Sequence, residues 1–164
     1  MIEVIVGDIT VLDVDAIVNA ASRALAGGGG VDGAIHAAAG PELVKASRAL
    51  GPIETGSAVI TPGFDLPARY VIHAVGPIWH GGRQGEAELL ERAYETSFER
   101  ALDAEDVRTI AFPAISAGVY GYPKESAVEI AVRVMQRHEK EFARIIACAF
   151  DERMGALYRR ELEQ

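Results

Sequence analysis

Short, nearly unbroken apolar runs alternate along this chain with longer segments in which apolar residues return every third or fourth position. The runs are Ile2–Val6, Ala16–Asn19, Ala58–Thr61, Tyr70–Ala74, Thr109–Pro113 and Arg144–Phe150. Their length suits strands, and their continuity predicts burial on both faces of a sheet covered by helices. The helical segments carry clear stripes. In Glu86–Asp103 the stripe is Leu90, Ala93, Tyr94, Phe98 and Ala101. In Pro123–His138 it is Ala127, Ile130, Ala131, Val134 and Met135, with Pro123 well placed at the helix start. Val31–Ala39 reads as a short helix stopped by Gly40-Pro41. Pro41–Leu50 begins another, and Asp151–Glu163 is a polar-faced terminal helix.

One connection departs from a parallel scheme. Only Pro62–Arg69 separates the third run from the fourth, too short for a helical crossover, so these strands are expected to be antiparallel neighbours. The architecture expected is α/β, a mixed central sheet between two helical layers. No repeat, linker or composition shift divides it, so residues 1–164 are read as one domain. Ligands of such sheets sit beyond the C-terminal strand ends. Four clusters fall there: Gly7-Asp8-Ile9-Thr10, Val18-Asn19-Ala20-Ala21-Ser22, Ile115–Pro123 and Phe150-Asp151.

The second cluster runs into Gly27-Gly28-Gly29-Gly30-Val31-Asp32-Gly33. Four consecutive glycines pack poorly but let bare backbone N–H groups approach a ligand closely. Entering a helix, they make an anion site from unpaired amides and the helix dipole. Asp32, an acid in that site, points to a residue that handles water or a hydroxyl. The run lacks both G-x-G-x-x-G and a following Gly-Lys-Ser/Thr, so it is neither a dinucleotide fingerprint nor a Walker loop. A second glycine loop, Ser116-Ala117-Gly118-Val119-Tyr120-Gly121, can hold the other side of a diphosphate.

Charge and composition narrow the ligand. The net charge is −8 and no basic stripe is visible, which argues against a nucleic-acid partner. Phosphate must then be held by amides, on a small molecule. The lone Cys148 lies in an apolar run and reads as a small buried strand residue, suited to a reducing compartment. No apolar stretch is long enough to span a membrane, and the N-terminus has no signal-like region, so the expected setting is cytoplasmic. No His, Cys and carboxylate cluster has zinc spacing, so no metal or cofactor is invoked. His36 and His73 are read as packing histidines, Trp79–Arg83 as a flexible loop that is either a rim or without a role, and the Glu-rich helix after it as a solvated face.

Together the motifs resemble the macrodomain family, and within it the MacroD-type ADP-ribose hydrolases. The matching residues are Gly7–Thr10, Asp15–Ala21, Gly27–His36, Ala38–Leu43, Ile60–Gly63, Leu66–Ala68, Tyr70–His73, Val75–Trp79, Ile110–Ser116 and Gly118–Pro123. The resemblance implies a three-layer α/β/α sandwich that binds ADP-ribose. It implies that Asp8 and Ile9 read the adenine, Phe150 stacks on it, and Gly29, Gly30 and Val31 with Ser116, Ala117, Gly118, Val119 and Tyr120 hold the diphosphate. Asn19, Ser22, Asp32 and Tyr120 would surround the distal ribose, with Asp32, Ser22 and Asn19 as the catalytic group. The implied activity is deacetylation of O-acetyl-ADP-ribose and removal of mono-ADP-ribose from acidic side chains of proteins. The alternative is a non-catalytic ADP-ribose reader. The resemblance leaves both Asp32 and the ligand's own diphosphate as groups that could activate water. The main departure is Ser22, where such proteins usually carry asparagine; serine is shorter and lacks the amide's second group. Ala37 stands where arginine is common, and Ala117 where threonine is common.

Overall fold

The computed structural model describes residues 1–164 as six strands, five helices and two single 3-10 turns. In chain order these are β1 (Ile2–Val6), β2 (Ala16–Ala20), α1 (Gly30–Ala39), α2 (Glu42–Leu50), β3 (Ala58–Pro62), β4 (Tyr70–Ala74), α3 (Glu86–Asp103), β5 (Thr109–Phe112), α4 (Lys124–His138), β6 (Arg144–Ala149) and α5 (Glu152–Leu162). The 3-10 turns, Ile9–Val11 and Glu139–Glu141, lie where the hydrophobic pattern predicts no element. No helix is long and apolar enough to cross a membrane.

The strands form one sheet in the order β1-β6-β5-β2-β4-β3. All neighbours are parallel except β3 and β4, which are antiparallel as their short connection requires. Side chains alternate between two buried faces. Ala16, Val18, Ile72, Ile110, Phe112, Ile145 and Ala147 pack with α3, α4 and α5. Ile17, Val71, Ala111, Ile146 and Cys148 pack with α1 and α2. The sheet is thus sandwiched between helical layers, a mixed α/β/α arrangement. Burial on both faces holds for the inner strands, whereas every residue of the edge strand β1 is only half-buried.

Two features of this sheet create a site. The helices that follow β2 and β5 lie on opposite faces, so the crevice between these neighbours is a topological switch point. The strands also separate there. β2 pairs with β4 over five residues but with β5 over two only, Ala16↔Ile110 and Ile17↔Ala111. Beyond Ile17 and Ala111 the chains part, and the loops that leave them flank an opening.

Candidate active site

The loop after β2 brings the glycine run to the N-terminus of α1. The N–H groups of Gly28 and Gly29 find no acceptor in the protein. Those of Gly30 and Val31 open the helix, where no intrahelical partner exists. Gly33 holds this turn closed: a Cβ there would stand 2.5 Å from the Gly28 carbonyl oxygen. The loop after β5 supplies the opposite wall. Its Ser116, Gly118, Val119 and Tyr120 amides likewise make no backbone bond, and Val119 is 97% exposed. Ala117 differs from its expected role, because its N–H turns inward to the Ala114 carbonyl at 3.3 Å. The Ser116 hydroxyl is also turned inward, donating to the Pro77 carbonyl at 2.7 Å.

Asp32, in the first turn of α1, is buried. Its Oδ1 accepts from Asn19 Nδ2 at 2.8 Å and lies 3.2 Å from His36 Nε2, one helical turn on. Oδ2 has no protein partner and keeps contact with solvent. A Cβ on Gly28 would lie 3.1 Å from this second oxygen, so the glycine backbone runs directly beside it. One carboxylate oxygen is therefore fixed, and the other is open beside the glycine backbone.

The polar contacts continue behind Asp32. Asn19 Nδ2 also lies 3.2 Å from His73 Nδ1, and His73 Nε2 lies 3.0 Å from Thr61 Oγ1. All four of Asn19, Asp32, Thr61 and His73 are buried. Burial first, and then the neighbouring His36, drives the His73 pKa down to about 3, so its ring is neutral. Sequence reasoning assigned both histidines to packing. The signal that finds His36 is its i,i+4 spacing from Asp32 on one helix; His73 is found only through the pairing of β2 with β4.

Ser22 follows β2 and is half-buried, with no hydrogen bond to its hydroxyl. Tyr120 is half-buried as well, its carbonyl accepting from Trp79 N–H at 2.9 Å. The remaining predicted residues stand at the other end of the sheet edge, after the paired strands β1 and β6. Asp8 caps the Ile9–Val11 turn, its Oδ1 accepting from the Thr10 amide at 2.9 Å and hydroxyl at 2.7 Å. These bonds hold its carboxyl below the usual range and leave Oδ2 without a protein partner. Phe150 is 91% exposed, a large apolar ring presented to solvent. Three strand spacings of ~4.8 Å separate β1 from β2, so the two ends lie roughly 14 Å apart along one rim.

A cleft of about 290 Å³ adjoins Tyr120 and is lined by Arg23, Gly76, Ile78, His80 and Leu89 among others. Its wall corrects two expectations. Glu86 is buried, and its carboxylate accepts from the amides of His80 (2.8 Å), Gly82 (3.0 Å) and Gln84 (2.7 Å). The segment read as a flexible loop is therefore tied down, and the first glutamate of α3 faces inward. Burial raises the Glu86 pKa, but these backbone donors outweigh it and hold the carboxyl at about 2. From the same segment Trp79 packs against buried Tyr122, ring centroids 4.7 Å apart and ring planes tilted by 59°.

Residues 18–131 match the family described as Macro domain. A macro domain-containing protein of Ralstonia nicotianae is 59% identical over 157 residues, covering 96% of this chain and 91% of that protein. The O-acetyl-ADP-ribose deacetylase of Klebsiella pneumoniae is 54% identical, with 98% of this chain and 95% of that protein covered. Among solved structures, the Oceanobacillus iheyensis macrodomain with ADP superposes with a TM-score of 0.93 at 42% identity, covering 99% of this chain and 90% of that one. The Trypanosoma brucei macrodomain in complex with ADP-ribose gives 0.89 at 36% identity, covering 98% and 68%.

Proposed function

Because this chain belongs to the macro domain family, we propose that it binds ADP-ribose and hydrolyses O-acetyl-ADP-ribose to ADP-ribose and acetate. The relatives named O-acetyl-ADP-ribose deacetylase support the reaction. The observation that carries it in this chain is Asp32, with one oxygen anchored to Asn19 and the other open beside the glycine backbone. In this reading Asp8 and Ile9 take the adenine edge and Phe150 stacks on its face. The amides of Gly29, Gly30 and Val31 hold the diphosphate from one side, those of Ser116, Gly118, Val119 and Tyr120 from the other. Amide dipoles rather than lysines carry this role, which suits a protein of net charge −8. Asn19, Ser22, Asp32 and Tyr120 surround the distal ribose.

Asp32 Oδ2 accepts a hydrogen bond from a water aimed at the ester carbonyl. The water oxygen bonds to the acyl carbon as its proton passes to the carboxylate. The ester C–O bond then breaks, and the ribose oxygen leaves with that proton. A mono-ADP-ribose ester on an acidic protein side chain presents the same bond, and the cleft beside Tyr120 offers room for the attached chain. We extend the activity to such esters on that ground. The reading needs no metal or cofactor, treats residues 1–164 as one macrodomain, and places it in the cytoplasm, where the lone buried Cys148 stays reduced.

Acetate release from O-acetyl-ADP-ribose tests the proposal. The unaltered protein turns over, and Asp32→Ala loses ~100-fold or more in rate, the share of a positioned acid–base group, while still binding ADP-ribose. Binding without turnover in the unaltered protein would make it a reader. An unchanged rate in Asp32→Ala would shift water activation to the ligand's own diphosphate.

A further inference from the structure

Asn19, the donor to Asp32, sits at the end of a buried chain that the catalytic reading leaves unused. Asn19 and His73 are register partners on β2 and β4, and Thr61 lies on the adjoining β3, on the same face of the sheet. Both contacts of the Asn19 amide use one atom: Nδ2 donates to Asp32 Oδ1 at 2.8 Å and meets His73 Nδ1 at 3.2 Å. An NH2 group can only donate, so His73 Nδ1 must accept and carry no proton. The ring proton then resides on Nε2, which donates to Thr61 Oγ1 at 3.0 Å, and the Thr61 hydroxyl donates onward to the Pro62 carbonyl at 3.2 Å. Every hydrogen in the chain has one direction.

The opposite tautomer would reverse that direction. With a proton on Nδ1, the ring would face the Asn19 NH2 donor to donor. Turning the amide over would relieve this, but would set the amide oxygen against the Asp32 carboxylate. Asn19 Oδ1 makes no hydrogen bond in its buried place, so it supplies no competing anchor for the amide. We propose that Thr61, by fixing the tautomer of His73, sets the sense of the Asn19 amide and so holds Asp32 in its working orientation. His73 and Thr61 are positioning residues, two and three side chains removed from the water. This inference rests on the hydrolase reading for its effect on rate, but not for its effect on the ring.

The test compares Thr61→Val with Thr61→Ser. Valine keeps the shape and removes the acceptor; serine restores it. Nitrogen-15 spectra of the histidine rings report the tautomer, Asn19 side-chain signals report the amide, and ADP-ribose affinity is measured alongside turnover. Expected are an Nε2–H ring in the unaltered protein and in Thr61→Ser. Thr61→Val is expected to shift the ring towards Nδ1–H, move the Asn19 signals, and lower kcat roughly tenfold or more through misplacement of Asp32. ADP-ribose affinity should stay within a few-fold. An Nδ1–H ring in the unaltered protein overturns the inference even if no substrate is turned over. So does a switched ring with kcat unchanged. If Thr61→Val does not fold, His73→Asn keeps an acceptor at the Nδ1 position and His73→Leu removes it. Equal kcat in that pair overturns the proposal as well.

Discussion

The Ser116 side chain occupies the space a Cβ on Gly76 would need, and from there its hydroxyl reaches the Pro77 carbonyl at 2.7 Å. Ser116 adopts this position with φ of 65°, a left-handed backbone unusual for serine. The segment after β4 and the amide-bearing loop after β5 thus lock one another.

Gly76→Ala should therefore damage binding and stability together. Overpacking of this kind costs ~1–3 kcal/mol. A thermal melt should show the loss, and calorimetry should show weaker ADP-ribose binding. Full affinity in a destabilised Gly76→Ala protein would mean that the loop keeps its shape without the lock.

Asp8→Ala should weaken ADP-ribose by roughly ten- to a hundredfold, from ~1.5–3 kcal/mol of lost bonding to a charged acceptor. Phe150→Ala should remove ~1–3 kcal/mol of stacking. Both should leave the rate at saturating substrate nearly unchanged, because the residues lie beyond β1 and β6, away from Asp32. If affinity survives both changes, the adenine lies elsewhere.

Ser22→Asn replaces a hydroxyl that has no protein partner with a longer amide, beside the place proposed for the distal ribose. Turnover of O-acetyl-ADP-ribose should rise. A fall would show that this pocket has adapted to serine.

The pH dependence follows from His73. Its folded pKa of about 3 lies below the ordinary 6.5, so the unfolded chain takes up a proton first as pH falls. The stability tied to its neutral ring is complete above pH 6.5 and declines from there down to about pH 3. The slope is at most ~1.4 kcal/mol per pH unit for one group. In a pH titration by NMR, the His73 ring signals should stay fixed from pH 8 to 5. Movement with a midpoint near 6 would contradict the buried neutral ring. The His73→Asn protein should lose this part of the slope.

Glu86 acts lower on the scale. Its folded pKa of about 2 lies below the ordinary 4.5, so its contribution stands above pH 4.5 and is lost as pH falls through about 2. Glu86→Gln should speed amide exchange at His80, Gly82 and Gln84 at neutral pH. Unchanged exchange there would show that the segment holds without the carboxylate.

Periodicity reads the elements of this chain well, because their causes are local. The stripe of α3 and the apolar run of β4 give their observed limits, and Pro123 directly precedes α4. The antiparallel pairing of β3 with β4 follows from chain length alone. What escapes is set by register and topology. His73 reaches Asn19 only because β2 and β4 pair in that register. Glu86 looks like any surface glutamate until three amides converge on it from a loop that carries no periodic signal. The Ala117 amide, expected among the diphosphate donors, turns inward because the loop closes on Ala114.

The separation of β2 from β5 has a mechanical consequence. It divides the sheet into two blades, β3-β4-β2 and β1-β6-β5, whose common ladder runs over only two residue pairs. A ligand laid across the rim would act as a clasp on both blades, touching the loop that leaves one and the loop that leaves the other. The join with the shortest ladder in this sheet and the place where the proposed ligand binds are then the same line, so occupancy would brace the molecule where it is thinnest.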